Sequence, residues 1–222
     1  MDLILAMDLK GGLVVHGRSG ERAGYLPLGW GAAPTAEPVP FVRHIAPRFI
    51  YVADLDRISG EGSHDAVIHE LARLVERCYA DRGTRSPADM LLEPGIVQVV
   101  GTETATGLLS EYRGFLSVDV KDGLALPEGR DPCEILTMAN EWAFEGCIIL
   151  NISAVGTGAL PAREDLLRYR NAYNGTLLYG GGVSGEPDLE IVRDSGFDGA
   201  IISTALHRGA VPLEWIRRGI FC

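Results

Sequence analysis

Two short segments of this chain repeat one another: Met7-Asp8-Leu9-Lys10-Gly11-Gly12 and Val118-Asp119-Val120-Lys121-Asp122-Gly123. Asp119 follows Asp8 by 111 positions, half of the 222-residue length. Each aspartate closes a short apolar run, Leu3 to Ala6 and Phe115 to Val118, so each falls at the end of an expected buried strand. Two carboxylates facing one substrate from opposite sides suit proton removal at one atom and proton donation at another. A strand-end aspartate can also cap a loop or pair with the nearby Lys10 or Lys121. The repetition at matching places favours a working pair.

Glycine-rich turns supply a second kind of chemistry. Leu178-Tyr179-Gly180-Gly181-Gly182-Val183-Ser184-Gly185 follows one apolar run, and Ser203-Thr204-Ala205-Leu206 follows the next. Glycines let backbone N–H groups approach an anion closely, so Gly181, Gly182, Ser203 and Thr204 form a candidate phosphate cradle. The bland alternative is a pair of tight turns that need glycine for positive φ. Gly95 and the Gly101-Thr102 pair are weaker counterparts in the first half. A long polar loop, Val15 to Tyr25, leaves the first strand; unstructured loops of this length are often substrate lids. In it His16 and Arg18 are candidates to meet an anionic group, unless the loop is merely solvated. Tyr51, Asp54 and Asp56 are further polar candidates near the second strand.

These residues need a scaffold that brings strand ends to one mouth. Strand-like runs alternate with helical patterns throughout, which implies a parallel sheet with crossover helices. Strands are expected near 3–8, 48–54, 89–93, 97–101, 115–119, 146–151, 176–180 and 199–203. Helices are expected near 37–46, 64–80, 103–112, 131–144, 162–173, 186–195 and 212–218. In 64–80, Val67, Ile68, Leu71, Leu74, Val75 and Cys78 keep the 3.6-residue period, with Ser63 as N-cap. Eight strands with intervening helices predict a (βα)8 barrel, one domain over residues 1–222, built from two duplicated halves. One comparison spoils the symmetry. Gly182 and Ser203 lie 21 positions apart, whereas Gly95 and Gly101 lie only 6 apart. The first half therefore lacks about one crossover helix, and a parallel connection cannot be made in so few residues. The third helix is missing or degenerate, the two segments form one bent strand, or a stretch of chain is not included in the sequence.

Composition narrows the function. A net charge of −10 argues against binding a nucleic-acid backbone, which calls for a basic face. A phosphorylated small molecule remains compatible, since amides can hold phosphate without many cations. The four cysteines have no paired or zinc-type spacing and read as reduced thiols of a cytoplasmic protein, with no metal site. No apolar run approaches the ~18 residues of a membrane span, and no signal peptide is expected.

Taken together, these motifs resemble the histidine-biosynthesis barrel family, whose members are ProFAR isomerase and the cyclase subunit of imidazole glycerol phosphate synthase. The resemblance runs through Ala6 to Gly12, Val52 to Asp56, Val100-Gly101-Thr102, Ser117-Val118-Asp119, Gly156-Thr157, Gly181 to Ser184 and Ala205-Leu206. It implies a duplicated half-barrel in which Asp8 is general base and Asp119 general acid for an Amadori rearrangement. Such a reaction opens an aminoaldose phosphate ring and moves a proton from C2 to give the aminoketose, with no cofactor. The chain departs from the isomerase pattern in places. Leu150-Asn151-Ile152 and Ala154-Val155 replace a threonine and an acid, Tyr51 replaces a histidine, and Glu93-Pro94-Gly95 stands for a glycine triplet. The His16 to Gly20 loop resembles a side branch of the family found among methanogens and methylotrophs. Two other readings follow: a related enzyme of pterin- or furan-type one-carbon cofactor biosynthesis, and a non-catalytic barrel that binds phosphometabolites.

Overall fold

The computed structural model describes residues 1–91 and 93–222. Ten strands run in the order β1 (Asp2–Lys10), β2 (Leu13–Val15), β3 (Phe49–Asp54), β4 (Arg77–Asp81), β5 (Ile96–Gly101), β6 (Phe115–Lys121), β7 (Leu124–Ala125), β8 (Gly146–Asn151), β9 (Thr176–Gly180) and β10 (Gly199–Ile202). Eight of them form a closed parallel ring, β1-β3-β4-β5-β6-β8-β9-β10, which shuts where Asp2 to Leu5 pair with Gly199 to Ile202. Eight α-helices surround it: α1 (Pro38–Ile45), α2 (Leu55–Ser59), α3 (Asp65–Ala72), α4 (Pro132–Ala139), α5 (Arg163–Ala172), α6 (Glu186–Asp194), α7 (Thr204–His207) and α8 (Leu213–Arg218). The expected (βα)8 barrel is the observed fold.

Strand alternation divides the core into two layers. Ile4, Tyr51, Tyr79, Phe115, Ile148 and Leu178 point inward and fill the barrel. Their neighbours in sequence, such as Leu3, Leu5, Ile50 and Cys78, point outward and meet the helices through residues such as Phe41, Ile45, Leu71 and Leu166. Tyr79 on β4 and Phe115 on β6 meet edge-to-face across the intervening β5, with ring centroids 5.2 Å apart. The helices follow the same logic. α1 begins with Pro38 at its first turn, buries Phe41, Val42 and Ile45, and stops at Ala46 in the left-handed region.

The strand register makes the twofold repeat explicit. Asp8 pairs with Ala53 and Ala53 with Asp81, while Asp119 pairs with Leu150 and Leu150 with Gly180. Each aspartate-bearing strand then turns back into a short antiparallel partner, β1 into β2 and β6 into β7. The turns are Gly11-Gly12 (φ 57 and 80) and Asp122-Gly123 (φ 53 and 83). Two consecutive left-handed residues are what a two-residue hairpin turn requires, which explains the repeated Lys-x-Gly.

The third ring strand is β4 rather than the stretch expected near 89–93, where residues 89–91 and 93 are not strand and residue 92 lies outside the described residues. The expected helix 64–80 ends at Ala72, and Arg77–Asp81 form β4 between β3 and β5. Cys78 and Ala80 face the helices while Tyr79 faces the interior, so this tail also fits a strand alternation; pairing on both sides outweighed the helical period. With β4 placed there, the true counterpart of Gly182 is Gly83. Gly83 and Gly101 lie 18 positions apart, so most of the apparent shortfall disappears. The crossover helix is nevertheless degenerate. Between β4 and β5 the described residues form only a 3-10 turn, Pro87–Asp89, in a stretch broken by Pro87 and Pro94. The helix expected near 103–112 is likewise a 3-10 turn, Leu109–Glu111. In place of helices, buried Gln98 ties the loop to the outer barrel wall. Its amide donates to Thr84 Oγ1 (2.9 Å) and Val99 O and accepts from Leu91 N (2.9 Å).

Candidate active site

Because even-numbered residues of β1 such as Ile4 and Ala6 point inward, Asp8 faces the interior near the end of that strand; the same alternation places Asp119 on β6 and Asp81 on β4. β1 and β6 are four strands apart in either direction around the ring, so Asp8 and Asp119 face each other across its mouth. All three carboxylates line one cavity at the C-terminal end of the barrel. Among the described residues no three acidic, histidine or cysteine side chains converge as a metal-ligating group. The aspartates are spread around the rim rather than gathered on one point.

Each carboxylate is held differently. Asp119 accepts from Ser117 Oγ (2.7 Å) and Glu103 N (3.0 Å), and its own amide donates to Thr102 Oγ1 (3.1 Å). Burial, reinforced by the charge of Asp81, pushes its carboxyl up to about 7 despite those hydrogen bonds. Asp8 rises to about 7 as well, through burial, with Arg22 opposing and Asp81 reinforcing the shift. Among the described residues no group donates a hydrogen bond to the Asp8 side chain. Asp81 accepts from Tyr51 Oη (2.8 Å) and Gly83 N (3.2 Å), and burial raises it too. Carboxyl groups raised to about 7, as Asp8 and Asp119 are, are suited to exchange protons at physiological pH.

The loop from His16 to Tyr25 lies over the mouth. Gly17 rests against Asp8: a Cβ on Gly17 would stand 2.5 Å from Asp8 Oδ2. Ser19 N donates to Val155 O (2.9 Å), which docks the loop on the segment after β8. Arg22 reaches across to the turn after β5 and makes a two-pronged ion pair with Glu103, at 2.5 and 3.0 Å. Lys10 Nζ holds Arg22 O at 2.7 Å.

On the second-half side, Gly181, Gly182, Ser203, Thr204, Ala205 and Arg208 line the cavity. Among the described residues the N–H groups of Gly182, Thr204 and Ala205 donate to no acceptor in the chain, and they are free for an anion. Their first-half counterparts by strand register, Gly83, Thr102 and Glu103, are all engaged. These donate to Asp81 Oδ1 (3.2 Å), Ser117 O (2.9 Å) and Asp119 Oδ2 (3.0 Å).

Of the residues singled out from sequence, Asp8, Asp119, Gly181, Gly182, Ser203 and Thr204 come together in this cavity. His16, Arg18, Gly101 and Thr102 do not line it. His16 Nε2 sits 3.3 Å from Thr204 Oγ1 and its ring meets Trp30 edge-on, while burial lowers its pKa and favours the neutral ring. Arg18 is exposed. Gly101 packs on the Asp119 carboxylate, and Thr102 fixes the Asp119 backbone. Tyr51 lines the cavity, but Asp54 caps α2 and accepts from the amide and ring of His64, and Asp56 accepts from Gly11 N. The sequence reading missed Asp81, Arg22, Glu103 and Arg208. Asp81 was detectable: Cys78-Tyr79-Ala80-Asp81 ends an apolar run in acid just as the other two strands do. The helical period expected over 64–80, which ends one residue before it, masks the strand.

The closed barrel agrees with the family that the sequence motifs resemble. The family model described as "Histidine biosynthesis protein" matches residues 2–212, and the chain belongs to this family. Among its relatives, an uncharacterized protein of Methanocaldococcus jannaschii is 33% identical over 227 residues, covering 97% of both chains. The ProFAR isomerase of Deinococcus radiodurans is 28% identical over 183 residues, covering 74% of this chain and 77% of its own. An enzyme of the same name from Thermus thermophilus is 28% identical over 233 residues, covering 96% and 97%. No helix among the described residues is long and apolar enough to cross a membrane.

Proposed function

We propose that this protein is an aldose–ketose isomerase of the ProFAR-isomerase type, performing an Amadori rearrangement on a phosphorylated aminosugar. The carrying observation is that Asp8 and Asp119 enter one cavity from facing strands, both with pKa values about 7. Phosphate sits on the amides of Gly182, Thr204 and Ala205, with Gly181, Ser203 and Arg208 around it. That anchor holds the sugar across the mouth between the two acids. Asp119, protonated, gives its proton to the ring oxygen as the ring opens. Asp8, ionised, removes the proton from C2 to give the enaminol, which takes a proton at C1 from the now protonated Asp8 while its C2 hydroxyl proton returns to Asp119, leaving the aminoketose and both acids as they began. The lid over Asp8 keeps water from the exposed intermediate. The isomerase names of the relatives from Deinococcus and Thermus support the reaction class.

Asp8→Asn and Asp119→Asn are each expected to lower kcat on an aminoaldose phosphate by ~10²–10⁴-fold while leaving KM within a few-fold. Full activity in both variants would end the assignment. A second reading keeps the site but moves it to one-carbon cofactor biosynthesis, acting on a different phosphate ester. It is favoured by the engaged amides of the first half, where a second phosphate would have to bind. Product analysis with the purified protein separates the two: conversion of an aminoaldose monophosphate to its aminoketose supports the first reading, and turnover of another phosphate ester without that conversion supports the second.

A further inference from the structure

The asymmetry between the halves bears on the substrate itself. Strand register sets Asp81 where the other half has Gly180, and sets Gly83 opposite Gly182. In the second half the turn leaves its amides open to the cavity. In the first half the same positions are taken up by the chain's own carboxylates, Asp81 on Gly83 N and Asp119 on Glu103 N. The nearby guanidinium groups are committed as well. Arg57 pairs with Asp89, Arg82 pairs with Asp65 (2.6 and 2.8 Å), and Arg85 Nη2 donates to Ile58 O (2.8 Å). Arg22 is neutralised by Glu103. An incoming phosphate on that side would meet the Asp81 carboxylate, and among the described residues the cation that lines the cavity there is Arg22, already paired with Glu103.

We infer that the cavity takes a monophosphate ester whose far end carries an ammonium or a comparable hydrogen-bond donor, received by Asp81, and that it rejects bisphosphates. Asp81 is only 7% exposed and uses two of a carboxylate's roughly four acceptor positions, on Tyr51 Oη and Gly83 N. A buried carboxylate with spare acceptor capacity beside a polar cavity gains from a cationic partner and loses beside an anion. This specificity rests on the phosphate placement proposed above, and it would hold for any chemistry performed in the cavity.

The test is isothermal titration of the purified protein at pH 7.5 with three probes: glucosamine 6-phosphate, glucose 6-phosphate and fructose 1,6-bisphosphate. The aminosugar phosphate is expected to bind at least tenfold tighter than its neutral isostere, and the bisphosphate no tighter than glucose 6-phosphate. Asp81→Asn should bring the aminosugar phosphate to the affinity of glucose 6-phosphate without moving the latter. The three wild-type affinities decide the matter even if the variant is poorly folded. Bisphosphate binding tenfold tighter than either monophosphate, or the absence of any amine preference, would overturn the inference while leaving the isomerase reading untouched. Lack of turnover of every aminoaldose phosphate, with the affinity order intact, would remove the isomerase and leave this specificity standing. Failure of all three probes to bind would overturn the inference, and turnover of aminoaldose phosphates would still decide the isomerase reading.

Discussion

Asp8 and Asp119 have been raised to the same region near 7 by different surroundings, and their proposed jobs demand opposite protonation states. Asp8 works only when ionised, so activity should climb as pH rises toward about 7. Asp119 works only when protonated, so activity should decline above about 7. The expected kcat/KM profile is therefore a narrow bell centred near neutrality, with apparent values that belong to the pair and to its neighbour Asp81 jointly. A profile flat from pH 5 to 9 would contradict the assignment. Replacing Asp119 by Asn should abolish the alkaline limb in any residual activity, and replacing Asp8 should abolish the acidic one. Gly17 belongs to the same scale. A methyl group there meets the Asp8 carboxylate at 2.5 Å, so Gly17→Ala should hold the lid away from the mouth. Its kcat/KM is expected to fall by at least tenfold with little change in thermal stability, as measured by steady-state kinetics alongside a melting curve.

Among the elements, the two crossovers without α-helices are the unusual part of the barrel. Gln98 is an outward-facing residue of β5 that would ordinarily be apolar and packed under a helix. Here its amide is buried and bonded to Thr84, Val99 O and Leu91 N, so that a proline-broken loop can cover the wall. Gln98→Ala should cost about 2–3 kcal/mol in urea unfolding, because Thr84 Oγ1 and the Leu91 amide lose their partner. Gln98→Leu should recover part of the packing and none of the bonding. Sequence patterns carried the barrel, the repeat, six of the eight helical regions and seven of the eight ring strands, because long apolar runs and amphipathic periods reflect burial directly. They misplaced β4, since Leu74, Val75 and Cys78 satisfy a helical period and only pairing with Tyr51 and Val97 distinguishes the strand. They also set Glu93-Pro94-Gly95 in the place that Gly83 takes by strand register. Arg22 and Glu103 could not be read at all, because an ion pair spanning 81 positions leaves no local signature.

At the scale of the whole molecule, the site works against the fold. Raising a carboxyl from 3.8 to about 7 means that the native state binds more protons than the unfolded chain between those values. Stability contributed by these groups therefore falls as pH increases across that window. Paired surface acids such as Asp65 act in the opposite sense, with a pKa lowered chiefly by Arg82, and they lose their contribution on acidification. The site's share is isolated by difference. Asp8→Asn with Asp119→Asn should melt at about the same temperature as the parent near pH 4 and several degrees higher at pH 8. A gap that does not widen with pH would mean that the two side chains are not strained when ionised.

The unequal halves have one more consequence. A barrel with anchors at both rims could receive an elongated substrate head-first or tail-first, and its two acids would then trade places from one turnover to the next. Here the free amides of Gly182, Thr204 and Ala205 lie on one side only, and Asp81 guards the other. Under the proposed function docking has a single polarity, so the proposed division of labour between Asp8 and Asp119 would be permanent, and exchange of a labelled C2 hydrogen should proceed on one face of the sugar alone.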